Sequence, residues 1–238
     1  MSATSRKTSE WDADFATNDN PQSPATLAHA WARSADVDAH AACLTNWQQQ
    51  YDQLSAGRFN GEFEEFRFAS VQLFCEVMNQ SIHQNGLAWP GSLTVAVPMT
   101  MDGLGWFNGA DYTSHSMLLV HNDCEFDFRT PPRLNMLACT VDAERLADYA
   151  RRIEHRDLEK ELSGHVLMPT TPEKIRGFGR LLAATMNELR DRPELAQRSS
   201  AWVEIEEALH RAILSACAPG ATTGQPQGQA RPAENMRR

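Results

Sequence analysis

Gln53-Leu-Ser-Ala-Gly-Arg-Phe-Asn-Gly61, running directly into residues 62–78, is where the chain turns from helix-compatible to strand-compatible. Ser55, Ala56 and Gly57 are turn residues, and beyond them Phe59, Gly61 and Phe63 fall on alternate positions, the period of a strand with one buried face. The apolar positions then move to Phe66 and Phe68. A one-residue shift exchanges the two faces of a strand, so this predicts a bulge or bend near Glu64 and Glu65. The run Val71-Gln-Leu-Phe-Cys-Glu-Val-Met78 reads as the returning strand of an antiparallel pair, joined by a short hairpin at Ala69-Ser70.

Outward from that pair, residues 53–141 read as an antiparallel β-barrel. Further strands are expected over 93–98, around Trp106-Phe107, and over 116–121, 124–129 and 134–140, with Pro90-Gly91, Asp102-Gly103, Asn108-Gly109, Asn122-Asp123 and Pro131-Pro132 as the reversals between them. His83 is expected at a strand end. Before the barrel, residues 1–22 are polar and poor in large aliphatics, which predicts a disordered leader whose Trp11 and Phe15 could dock on the barrel. Residues 23–52 read as a helical segment: Ser23-Pro24 as cap and first-turn proline of a helix through Leu27 and Trp31, then further helical turns carrying Ala41, Leu44 and Trp47.

At Asp142 the period changes to that of helices. Leu146, Tyr149, Ala150 and Ile153 share one face. Thr171-Pro172-Glu173 opens a second helix with Phe178, Leu182 and Leu189 in its stripe, and Ser200 is expected to cap a third bearing Trp202, Leu209 and Ile213. Periodicity alone fits these stripes either to an intrachain core or to a dimer interface; residues 142–218 are assigned to a helical dimerisation region. Residues 219–238, rich in Gly, Pro, Gln and Thr, read as a flexible linker or tail after Pro219-Gly220.

The net charge of −9 argues against nucleic-acid binding by these residues themselves, because phosphate contacts require a basic face. The 5 cysteines are scattered without a Cys-x-x-Cys pair, so reduced, buried thiols are expected in place of disulfides or a zinc ribbon. No signal-type apolar segment follows Arg6-Lys7, and no window approaches the roughly 18–20 apolar residues of a membrane span; a cytoplasmic protein is expected.

An antiparallel barrel, a helical pair and a polar linker, in that order, resemble the sensor half of AraC-family transcription regulators, in particular the subgroup with the ethanolamine-operon regulator. Trp47-x-x-x-Tyr51-x-Gln53-Leu54-Ser55-x-Gly57-Arg58-Phe59-x-Gly61 carries the resemblance, with Gln72-Leu73-Phe74, Asn79-Gln80, Trp106-x-x-Gly109 and Glu125-x-Asp127-x-x-Thr130-Pro131; it covers residues 36–217. The resemblance implies an α+β chain with a cupin-like barrel that binds a small effector, helices that make a homodimer, and control of transcription through a helix-turn-helix domain, attached or on a partner. No such domain fits into residues 219–238, so the expectation is a sensor fragment or a chain that lacks the DNA reader.

If the barrel binds a ligand, Phe59, Trp89, Trp106 and Tyr112 are candidates for its apolar wall, Arg67 and Arg129 for contact with an acidic ligand, and Glu62, Glu76 and Glu125 for contact with an amine. A metal-dependent cupin enzyme is the competing class. It requires a His-x-His pair and a following Glu, and His115, His121 and Glu125 do not have that spacing. No nucleophile elbow, Walker loop or dinucleotide fingerprint is present, so the expectation is a non-enzyme without metal or cofactor. A ligand-free dimerisation scaffold with a filled barrel is the third reading.

Overall fold

The computed structural model describes residues 27–121, 124–192, 194 and 199–217. The expected leader, the Ser23-Pro24 cap, the Asn122-Asp123 turn and the 219–238 linker lie outside these residues.

The chain is α+β. Its strands form two antiparallel sheets. The six-stranded sheet has the order β1 (Ala28–Ser34), β3 (Gly61–Phe68), β4 (Val71–Met78), β11 (Leu134–Asp142), β6 (Ser92–Met101), β9 (Leu118–His121). The five-stranded sheet has the order β2 (Gln48–Gln53), β5 (Ile82–Leu87), β10 (Phe126–Arg129), β7 (Gly105–Phe107), β8 (Ala110–Tyr112). Hydrogen bonding does not join the two into one closed barrel among the described residues. They meet through a shared apolar core in which Phe63, Phe74, Met136 and Ala138 of the first sheet pack with Tyr51, Phe107, Tyr112 and Phe128 of the second.

The apparent slip in β3 is not a bulge. Residues 61–68 pair with β4 in unbroken register, Phe63 opposite Glu76, Glu65 opposite Phe74 and Phe66 opposite Leu73. Both faces of the strand are buried: Phe63 and Glu65 face the second sheet, whereas Phe66 and Phe68 belong to a different core beneath the helices. The alternation was broken by one buried acid, Glu65, standing where an apolar residue was expected. The same parity runs across the sheet, with Gln72, Phe74, Glu76 and Met78 of β4 facing inward and Val71, Leu73 and Cys75 facing the helices. Two turn expectations hold: β3 and β4 are joined across Ala69-Ser70, and Asn108-Gly109 joins β7 to β8 with φ of 44° and 90°, the left-handed pair that a two-residue hairpin prefers.

The N-terminal helical reading holds only for one short stretch after Asp36, which carries Ala41. Trp31 is on edge strand β1, with its side chain exposed, and the only helix between it and Tyr51 is the short α1 (Val37–Ala41), capped by Asp36. Trp31 and Trp47 have helical spacing relative to their neighbours, but pairing with β3 and β5 fixes their segments as extended chain. His83 is inside β5 and not at its end.

Helix α2 (Ala143–Tyr149) is capped by Asp142 as expected and gives way at residue 150 to a wider π turn, which ends at His155 with φ of 54°. After α3 (Leu158–Leu162), α4 (Pro172–Asp191) starts at Thr171-Pro172, and α5 (Ser199–Cys217) already includes Ser200 in its first turn. Phe178, Leu182, Leu189, Trp202, Leu209 and Ile213 are all buried within the chain, against Leu73, Val95, Val97 and Cys139 on the outer face of the six-stranded sheet. The dimerisation assignment for these side chains is therefore corrected: they form the helix-to-sheet core of a single chain. At Gly179 α4 passes over the Met99 side chain of β6, whose sulfur would lie 2.8 Å from an added Cβ.

All 5 cysteines are free; Cys139 and Cys217 are buried, but Cys43 and Cys75 are half-buried and Cys124 is exposed, against the expectation of uniformly buried thiols. Burial with no compensating cation holds Cys139 strongly protonated. No described helix is long and apolar enough to cross a membrane.

Candidate functional site between the sheets

The inward face of the six-stranded sheet carries more polar groups than a packing core needs. Glu65, Gln72, Glu76, Thr94 and Thr140 are all buried there. They separate into a saturated end and an unsaturated middle.

At the saturated end, the Gln72 amide donates to Glu65 Oε1 at 2.6 Å and to the Thr45 carbonyl at 3.0 Å. Its oxygen accepts the indole N–H groups of Trp47 at 2.9 Å and Trp89 at 3.0 Å. Glu65 also accepts from the Thr45 backbone and hydroxyl groups and from Arg67 Nε. Every polar atom has a partner, as a buried network requires to be stable. Trp89 and Arg67, both candidate ligand residues in the sequence, are committed to this network.

The middle is a cavity of 50 Å³ between the sheets, walled by Trp47, Phe74, Phe107, Phe126 and Phe128 with the Glu76 carboxylate among them. Glu76 Oε1 accepts the Tyr51 hydroxyl at 2.8 Å. His40 Nε2 lies 3.2 Å from the same oxygen, close enough for an ion pair but outside hydrogen-bond geometry, so both of its ring nitrogens are buried without a hydrogen-bond partner. The Tyr112 hydroxyl is likewise buried and unpartnered. Burial first, and then the negative charge of Glu76, push both tyrosines well above the usual phenol range, so they stay neutral hydroxyl groups.

Two glycines make these placements possible. A Cβ on Gly61 would stand 2.6 Å from the His40 ring, and one on Gly105 would stand 2.0 Å from the Tyr112 ring. Each ring lies against bare backbone of a strand, a close approach only glycine permits.

The other candidate residues scatter. Phe59 is buried in the inter-sheet core and packs edge-on against His40. Trp106 and Arg129 share the opposite, outward face of the five-stranded sheet, where the guanidinium lies 5.0 Å from the indole centroid. Neither lines the cavity, because the inward residues of β7 and β10 are their neighbours Phe107 and Phe128. Glu125 is exposed, and Glu62 pairs with Arg33 at 2.8 Å near the surface. His83 is held by Asp127 at 2.9 Å on the outward face. Of the donors weighed for a metal, His115 is exposed beside Ser114, His121 contacts the His165 carbonyl at 3.3 Å and Glu125 is exposed; no group of three or more His, Cys, Asp or Glu converges among the described residues.

Sequence reading missed His40, Tyr51 and Gln84 as site residues. Only Glu76, a lone acid in an apolar strand, gave a local signal. A larger cleft of 640 Å³ lies between β9 and α3, with His121, Cys124, Glu159 and His165 on its walls. The smaller cavity differs in placing a buried carboxylate, Glu76, among aromatic rings and next to the unpartnered His40 ring.

No family model matches the chain. Among solved structures, the crystal structure of the AraC-like transcriptional activator CuxR is similar, with a TM-score of 0.58 over 84% of this chain and 74% of that chain, at 9% sequence identity. The likeness is one of fold. It connects the two-sheet and helix architecture to that of an AraC-like regulator; the ethanolamine-regulator subgroup has no separate support.

Proposed function

We propose that this chain is the small-molecule effector-binding and dimerisation domain of an AraC-type transcription regulator, acting without catalysis and in the cytoplasm. Its two sheets serve as a cupin-like barrel, and transcription is controlled through a helix-turn-helix domain that is attached or carried by a partner. The observation that carries this reading is the coincidence of an AraC-like fold with an aromatic-walled inter-sheet cavity that holds the Glu76 carboxylate, next to which the His40 ring is buried without a hydrogen-bond partner. Residual polar capacity at an aromatic-walled site is what fixes the orientation of a bound small molecule. An effector there contacts both sheets, β4 on one side and β10 on the other, so its binding energy favours one packing of sheet against sheet and, through β4 and β11, of sheet against α4 and α5. Because the apolar stripes of α4 and α5 are buried, a homodimer forms through their remaining faces.

The small size of the cavity favours a second reading, a dimerisation scaffold with a filled interior. Native mass spectrometry of the full chain separates the two. A metal-free dimer that carries or accepts a small organic mass supports the sensor; a dimer that accepts none supports the scaffold. Stoichiometric iron, zinc or manganese would overturn both in favour of a metal-dependent enzyme.

A further inference from the structure

The two buried acids of the inward face differ in one respect that bears on ligand chemistry. Glu65 has donors on both carboxylate oxygens. Glu76 does not: the Tyr51 hydroxyl and His40 Nε2 both approach Oε1, and Oε2 has no partner among the described residues. No lysine or arginine lines the surrounding cavity. Gln84, which does, directs its amide donor to the Met78 sulfur at 3.5 Å, and Thr94 is paired with Thr140 at 2.8 Å. What remains available is acceptor capacity within a ring of aromatic side chains. A carboxylate and aromatic rings together are the combination that attracts a cation, the carboxylate by charge and the rings through their quadrupoles.

We infer that the inter-sheet cavity takes a small organic ammonium ion, an amine of a few heavy atoms that donates an N–H to Glu76 Oε2 while its alkyl groups rest on Phe107, Phe126, Phe128 and Trp47. This rests on the effector-binding reading and specifies its ligand class. A cavity of 50 Å³ limits the occupant to very few heavy atoms unless the sheets part slightly. A ligand that small binds weakly, since even the best fragments gain at most about 1.5 kcal/mol per heavy atom, so an assay that reads millimolar affinities is required.

The test is an NMR titration of the full chain, following the Trp47 indole N–H, with methylammonium and trimethylammonium chloride set against methanol and tert-butanol as neutral counterparts of similar size at matched ionic strength. Saturable shifts are expected with the ammonium ions and absent with the alcohols, and Glu76→Gln should weaken the ammonium binding by about tenfold. Phe128→Leu is the second, independent probe: it keeps an apolar side chain, removes one ring, and should weaken ammonium binding by about fivefold. If the alcohols bind as well as the ammonium ions and neither substitution discriminates, the cation inference is overturned while the cavity stands as an effector site. If no solute produces a saturable shift, the effector-binding reading is overturned with it.

Discussion

The outer and inner faces of the six-stranded sheet are built from the same strands, yet they differ in kind. Outward, Leu73, Val95, Val97, Leu137, Cys139 and Val141 meet α4 and α5 in an apolar core, and the acids at its margin, Glu64 and Glu206, are each held by an arginine, Arg190 and Arg145. Inward, Phe74, Ala96 and Ala138 alternate with Gln72, Glu76, Thr94 and Thr140, and these polar residues are held in three separate groups of unequal completeness. A strand with two apolar faces would be more stable, since burying polar groups returns little net free energy even when they are fully paired. The difference indicates that the helix side supplies stability, and that the inner side carries polar groups for a purpose other than packing.

The sharpest way to break this division is to truncate the helix side. Leu182→Ala, at a fully buried position of α4, should lose about 3 kcal/mol through transfer and cavity terms. In urea the midpoint falls while the slope is unchanged. A loss below 1 kcal/mol would mean that α4 is not the anchor of this core.

Gln72→Leu probes the saturated network on the other face. It leaves two indole N–H groups and the Thr45 carbonyl without the partner they have in Gln72, removes one of the two donors to Glu65 Oε1, and should cost about 2–3 kcal/mol despite adding apolar surface. Thermal unfolding followed by tryptophan fluorescence reads both the loss and the changed environment of Trp47 and Trp89. A neutral or stabilising result would show that this network is dispensable and would remove its contrast with Glu76.

A pH dependence separates the helix layer from the sheets. Glu206 of α5 accepts both Arg145 of α2, at 2.8 and 2.9 Å, and Ser70 of the β3–β4 turn. His210, one turn along, is buried beside Tyr149 with Nε2 lacking a hydrogen-bond partner, 3.9 Å from Glu206 and facing Arg145. Burial lowers its pKa below the ordinary 6.5; Arg145 acts in the same direction, and Glu206, Asp142 and Glu207 oppose it. The folded state therefore binds fewer protons than the unfolded state as pH falls from 6.5 toward the lowered value, and stability decreases through that window. His210→Gln should flatten the slope there. Glu64, held below the usual carboxylate range first by the Arg190 hydrogen bonds, loses its contribution only at lower pH, below 4.5. An unchanged slope in the variant would place the titrating group elsewhere.

What the sequence made legible follows from which interactions are local. The Asn108-Gly109 hairpin, the Asp142 cap and the start of α4 at Pro172 are decided within a few residues, and each is found where it was expected. Parity is not local. Trp106 and Phe107 are neighbours on a short strand, and only pairing with Phe128 and Arg129 decides which of them enters the cavity; nothing local separates the two, and the phenylalanine is the wall where the sequence points to the tryptophan. Glu65 broke the alternation of β3 because its partners Thr45 and Gln72 belong to other segments. Tyr51 and His40 were invisible as site residues for the same reason, since their meeting with Glu76 brings β2 and α1 onto β4.

Within the inner face, Glu76→Gln sharpens the comparison with Gln72. The glutamine side chain can still accept from Tyr51, so stability should change by no more than about 1 kcal/mol, well below the Gln72→Leu loss. Chemical denaturation of the two variants side by side reads the difference. Equal losses would mean that Glu76 is a structural group like its neighbour and not one held open for a ligand.

The smallest effect concerns the hairpin that sets the register on which both faces depend. Ala69 adopts φ of 45°, a left-handed conformation that is unfavourable for any residue with a Cβ. Ala69→Gly relieves that strain but widens the unfolded ensemble, and it removes a methyl group packed at the margin of the helix-side core. The opposing contributions leave a net gain of about 0.5 kcal/mol at most. Since Phe68 and Val71 flank the turn and both point into that same core, the pairing of β3 with β4 is held by burial on two sides and not by turn chemistry. Hydrogen exchange across residues 61–78 should accordingly retain its protection pattern in the variant. A shift of register, seen as exchange of protection between odd and even positions, would show that the turn selects which residues face the cavity.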